Sequence, residues 1–235
     1  MQLPKLDKPV FDLLIPSKDK TFKFRPFTVK EEKILLMGQQ SGAEKEIILA
    51  IKQVINNCAV EPLDINSLAT FDLEYMFLKL RARSVSNIID VSYRDNEDDK
   101  VYDFQIDLDQ VEMLQKSDVS NVIPVTDTIG IKMKYPSVDI IDDVPADVTA
   151  TELVEYLIRR CIECVYDADN VYPATDYSDD QMLEWVENLD VETFGKIREF
   201  FDNLPRMYYK LEYTNSKGSE RVIELTTLSD FFTWG

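Results

Sequence analysis

The sequence contains no histidine. That removes the commonest general base near neutral pH, the serine and cysteine triads built on imidazole, and most zinc sites. Only three of the 235 residues are cysteines, Cys58, Cys161 and Cys164, too few for a disulfide framework. A reducing cytosol is the expected setting. Six glycines and ten prolines argue against low complexity or a fibrous repeat. No glycine-rich loop precedes a Lys-Ser or Lys-Thr pair, so no phosphate-binding loop is expected, and no internal repeat is visible. Nowhere do about eighteen apolar residues run together, so no membrane-spanning helix is expected. The opening MQLPKLDKPVFDLLIP lacks the apolar core and small-residue cleavage site of a signal peptide. Bases are outnumbered: 26 Lys and Arg against 44 Asp and Glu, a net charge of −18 at pH 7. Such a chain is a poor match for nucleic-acid phosphates or an anionic membrane surface. It suits solubility, or docking to a basic partner.

What is present is a core. Hydrophobic residues make up 45% and aromatics 11%, enough for one large or two small domains. Residues 22–37, FKFRPFTVKEEKILLM, read as an organising unit. Phe22 and Phe24 alternate with Lys23 and Arg25, the pattern of a half-buried strand, and Pro26 ends it. Thr28 and Glu31 form a capping box that opens a helix from Val29. Phe11–Ile15 and Lys20–Phe24 flank Pro16, Ser17, Lys18 and Asp19 and predict a β-hairpin. Gly42 closes the first helix, and Ser41 with Glu44 predicts a capping box for a second. In that helix Ile47, Ile48, Ile51, Val54, Ile55 and Cys58 share a face, and the two helices should pack as a pair. Thr70 is expected to cap a third helix with Leu73, Met76, Phe77 and Leu80 as its stripe.

Further along, residues 88–106 switch to strand periodicity around a charged tip, 94–100. The tip has alternating acids but no glycine, unlike a calcium loop, and reads as an edge kept soluble by charge. Residues 108–114 predict a short helical stretch. Residues 129–134 predict a strand that joins the 88–106 hairpin. The acidic, proline-punctuated segment 139–148 is the expected boundary. Beyond it, Thr149 or Thr151 caps a helix expected to run to about Val165. Ser178 with Gln181 opens another, and Asp190 a third. Residues 208–213 and 221–225 around Asn215, Ser216, Lys217 and Gly218 predict a final hairpin. The fold class is α+β. The expected organisation is an α+β region over 1–140 and a mostly helical region over 149–235, closed by that hairpin.

No constellation points to catalysis, a cofactor or a metal. Cys161 and Cys164 match C-x-x-C, but late in an expected helix and beside Glu163 they read as buried core thiols. Arg81 and Arg83 stand where a helix favours cations, or where a partner could dock. The tail residues Phe231, Phe232 and Trp234 read either as the last part of the core or as an apolar partner anchor. These five are the candidate partner-interface residues. An enzyme built on paired carboxylates, such as a glycosidase, would need two carboxyls flanking a cleft.

Four stretches, residues 22–37, 71–85 (FDLEYMFLKLRARSV), 129–137 (IGIKMKYPS) and 225–232 (LTTLSDFF), resemble in this order the T-even-type bacteriophage baseplate hub family. The resemblance implies a non-enzymatic tail protein acting in assembly of the baseplate hub of a contractile tail. It would be a structural subunit of the hub or, alternatively, a transient assembly chaperone for the tape-measure protein or hub proteins. Its partners would be hub proteins or the tape-measure protein. Its location would be the host cytoplasm during assembly, then the virion baseplate. Relatives often carry Cys-x-x-Cys-Gly at the last hairpin turn. Here Thr214 and Lys217 hold those places, so no metal is carried over.

Overall fold

The computed structural model describes residues 6–115, 119–145 and 148–231. Strands β1 (Phe11–Ile15) and β2 (Lys20–Phe24) are followed by helices α1 (Val29–Ser41), α2 (Glu44–Cys58) and α3 (Thr70–Ser84). Strands β3 (Ile88–Arg94), β4 (Val101–Asp107) and β5 (Glu112–Leu114) come next. The middle of the chain holds β6 (Val122–Pro124), β7 (Gly130–Met133), α4 (Val138–Asp142), α5 (Ala150–Cys161), β8 (Ile162–Tyr166), β9 (Val171–Pro173), α6 (Asp179–Glu187) and α7 (Val191–Asp202). The end holds β10 (Arg206–Thr214), β11 (Glu220–Leu225) and α8 (Leu228–Phe231). The fold is α+β, with small antiparallel sheets.

Two compact units emerge: Met1–Leu114 with Arg206–Gly235, and Gln115–Pro205. The expected division near 139–148 therefore differs from the observed one. The final hairpin does not close the helical region. Its strand β10 pairs with β5, Met207 opposite Met113, in a sheet of order β11-β10-β5. Strand pairing between distant segments is set by tertiary contact, which local composition does not report.

In the first unit the N-terminal hairpin forms as expected, in register from Phe11 opposite Phe24 to Ile15 opposite Lys20. Helix α1 starts at Thr28 and stops at Gly42, whose φ of 67° is the left-handed conformation that glycine adopts freely. Gly38 lets α1 and α2 touch: a Cβ there would lie 2.8 Å from the Ala50 Cβ. Ser41 does not cap α2. It ends α1, with its hydroxyl donating to the Gly38 carbonyl at 2.7 Å, and Ala43 is the N-cap of α2. Helix α3 likewise begins after Ala69 rather than with Thr70 as its cap. It is the core helix of this unit: besides the expected stripe, Phe71, Leu78 and Ala82 are buried, so apolar residues face neighbours on most sides. Residues 108–114 form a short 3-10 turn and β5 instead of a continuous helical stretch. Lys79 fixes that turn, donating to the carbonyls of Leu108 (2.8 Å), Asp109 (3.0 Å) and Val111 (2.9 Å).

The second unit is built on a sheet of order β6-β7-β8-β9. Strand β7 pairs with β6 and β8, not with the β3–β4 hairpin as expected. Helix α5 is capped by Thr149, one of the two expected caps, but ends at Cys161, and Ile162–Tyr166 leaves it as β8. The segment IECVY alternates, and the edge of β7 offers it a ladder; tertiary pairing overrides the helical reading. Cys161 and Cys164 are thus not on one helix face: Cys161 is buried at the helix end and Cys164 is half-buried in a strand. Helices α6 and α7 open at Ser178 and Asp190 as predicted, with Met182, Val186, Ile197 and Phe200 buried against the sheet.

Candidate interaction surface

Charged side chains in the first unit cross-link its hairpins and helices. Arg25 does not point to solvent as strand alternation suggested. Its guanidinium forks onto Glu31, Nη2 to Oε1 at 3.0 Å and Nη1 to Oε2 at 3.4 Å, and Nη2 also donates to the Asn57 carbonyl at 2.8 Å. Glu31 accepts as well from the Thr28 backbone N (2.9 Å) and hydroxyl (2.5 Å), which is the capping box. Burial pushes the Glu31 carboxyl up, but these donors outweigh it and hold its pKa at about 2. Asp72, fully buried, ties α3 to the first hairpin, accepting from Ser17 N at 2.9 Å, the Ser17 hydroxyl at 2.5 Å and Ala69 N at 3.1 Å.

The charged tip 94–100 is largely exposed, as expected of a charged edge, but it also makes a contact the sequence did not suggest. It docks on the tip of the final hairpin. Asp95 is 2% exposed. Its carboxylate accepts from the Tyr213 hydroxyl (2.7 Å), Arg221 Nε (3.1 Å) and Glu97 N (2.7 Å). Glu97 accepts from Asn215 Nδ2 at 2.7 Å and the Ser219 hydroxyl at 3.1 Å. Asp98 accepts from the Tyr102 hydroxyl at 2.6 Å and from Ser216 N at 3.0 Å. Asp95, Glu97 and Asp98 thus each accept from donors on the final hairpin. Sequence reading missed this latch. The one available signal was an acid-rich turn in one hairpin and a donor-rich turn in another, with no pattern linking them.

Arg81 and Phe231 come together. Both line a cleft of about 500 Å³ in the first unit, together with Phe27 and Leu35. Burial lowers the pKa of Arg81 below the ordinary value, and its Nη1 donates to the Ser86 carbonyl at 3.4 Å. Phe231 is 2% exposed and packs with Leu78, Met207 and Leu225. Of its two readings, burial fits the first: α8 packs on α3 and the ring joins the core. Arg83 stands apart, exposed and paired with Asp109 at 3.3 Å. Phe232 and Trp234 lie outside the described residues.

The second unit carries a larger cleft, about 710 Å³, between α6 and the β8–β9 end of its sheet. Tyr166, Tyr172, Tyr177 and Trp185 line it, and its charged lining residues are Asp167 and Glu184. Tyr166 stands opposite Gly130 in the ladder, and a Cβ on Gly130 would sit 2.2 Å from the tyrosine Oη. Glycine at that point lets the ring lie across β7. The Tyr172 hydroxyl donates to Asp167 Oδ2 at 2.7 Å, while Asp167 Oδ1 accepts from the backbone of Asp169 and Asn170, both at 2.8 Å. Those donors hold the Asp167 carboxyl below the usual carboxylate range. Burial pushes the Cys161 thiol up to about 12, which suits a packing residue. Among the described residues no group of three or more acids and cysteines is placed to hold a metal ion, and no helix is long and apolar enough to cross a membrane.

These features define an acidic α+β protein whose charged groups brace its own elements and whose second unit carries a cleft lined mainly by apolar and aromatic side chains. A family model described as T4 bacteriophage base plate protein matches residues 8–233, and the chain belongs to that family. It is a phage baseplate protein, and other baseplate proteins are its partners. No curated protein and no solved structure matches it.

Proposed function

We propose that this protein works by association, without catalysis, as a structural subunit of the baseplate hub of a contractile tail. The observation that carries this reading is the family match, which runs through both compact units from residue 8 to residue 233. Supporting a non-catalytic role, Glu31, Asp72 and Asp95 are each engaged in fold contacts. The test is a count of this chain in purified tails by quantitative mass spectrometry. A fixed stoichiometry with the other baseplate proteins is the expected result.

The net charge of −18 favours a second reading, a transient assembly chaperone for a basic hub or tape-measure client in the host cytoplasm. Near-absence from finished tails, together with failed hub assembly when the chain is missing, would select the chaperone over the subunit.

A further inference from the structure

The cleft of the second unit has a composition that calls for one kind of ligand. Its walls are Tyr166, Tyr172, Tyr177 and Trp185, side chains that offer wide apolar faces with polar tips and that dominate binding hot spots. Its charged lining residues, Asp167 and Glu184, carry one sign. The surrounding sequence carries the same sign: between Arg160 and Lys196 stand ten acids and no Lys or Arg. Two bases on neighbouring elements are engaged, Lys132 with Glu163 at 2.8 Å and Arg160 with Asp143 at 3.8 Å. A second copy of this chain would bring the same negative field and be repelled. Strand addition is disfavoured too. Both edges of the sheet, β6 and β9, are three residues long and end in proline, Pro124 and Pro173.

From these features we infer that the cleft is the docking site for a basic amphipathic α-helix of another polypeptide. Its bulky apolar side chains enter between Trp185 and the three tyrosines, and its Lys and Arg side chains meet Asp167, Glu184 and the acids around them. This is helix-in-groove recognition, in which the aromatic floor supplies affinity and the charge supplies steering and orientation. The inference deepens the associative role, on which it rests only for the source of the helix, a fellow baseplate component.

The test uses the full chain carrying Trp234→Phe, so that Trp185 is the only tryptophan. The probe is a synthetic Lys/Leu/Ala helix of roughly 18 residues, about five turns. Binding is read by calorimetry and by Trp185 emission. Saturable binding with a shift of that emission is expected. A peptide of the same composition in scrambled order should bind at least about tenfold more weakly, since it keeps the charge but loses the apolar face. Glu184→Lys, at an exposed position, and Tyr177→Ala should each weaken binding about tenfold while circular dichroism shows the fold intact. Equal binding of the scrambled peptide, no binding, or affinity unchanged by both substitutions overturns the assignment. Absence of the chain from tails would remove the subunit reading alone and leave the binding result standing.

Discussion

Tyr213 donates its hydroxyl to Asp95 at 2.7 Å across 118 residues of chain. The bond joins the tip of the β3–β4 hairpin to the β10–β11 hairpin, and Arg221 completes it at 3.1 Å. Asp95→Leu should lower the thermal midpoint by more than Tyr213→Phe does. The first strands several donors at once, whereas the second removes one donor and leaves the carboxylate paired with Arg221. Asp95 is held below the usual carboxylate range by Tyr213 first and by the Glu97 backbone next. Its contribution is therefore present above about pH 4 and lost as pH falls below that. A thermal-shift series from pH 7 downward checks both the order and the window.

Glu31→Gln should destabilise the first unit by about 3 kcal/mol. It removes the charge that Arg25 faces and weakens the start of α1. Because the native Glu31 pKa is about 2, the stability it supplies is also present above the unfolded value and fades in acid. The gap between urea melts of the variant and the parent should narrow from pH 7 to pH 3 and close only below the native pKa of about 2.

Glu74 behaves with the opposite sign. Burial, aided by the nearby Asp230 charge, pushes its pKa up to about 7. The native state keeps the proton between the unfolded value and pH 7, so stability falls as pH rises through that window. The stability lost across that window is roughly 3–4 kcal/mol. Glu74→Gln should therefore raise stability at pH 8 and flatten the pH profile above pH 5. Denaturant melts across that range read the slope directly.

Phe231→Ala should cost about 3–5 kcal/mol, the usual penalty for emptying a buried aromatic site. Arg83→Ala should change stability by less than about 1 kcal/mol, since its pair with Asp109 is exposed. Loss of tail assembly with Arg83→Ala, in a chain that melts normally, would mark it as a docking residue. The melting midpoint of each purified variant separates the two effects.

The local devices were legible in the sequence. Capping boxes at Thr28 and Ser178, the cap at Thr149 as one of two candidates, the stop at Gly42 and the alternation of the three hairpins each depend on residues a few positions apart. Backbone propensity and side-chain-to-backbone hydrogen bonds act over that range, so the pattern is written locally. The family was legible for the same reason, in short stretches kept in order. Tertiary structure decided the rest. It drew IECVY out of a helix into β8, because the edge of β7 needed a partner. It placed the last hairpin beside β5 in the first unit, and turned a charged tip into a hydrogen-bonded latch by setting Tyr213 and Arg221 against the buried Asp95. It also gathered three tyrosines and a tryptophan from separate elements into one cleft. Such arrangements rest on contacts between residues far apart in the chain, where the free energy lies in burial and in satisfied polar groups that no local window contains.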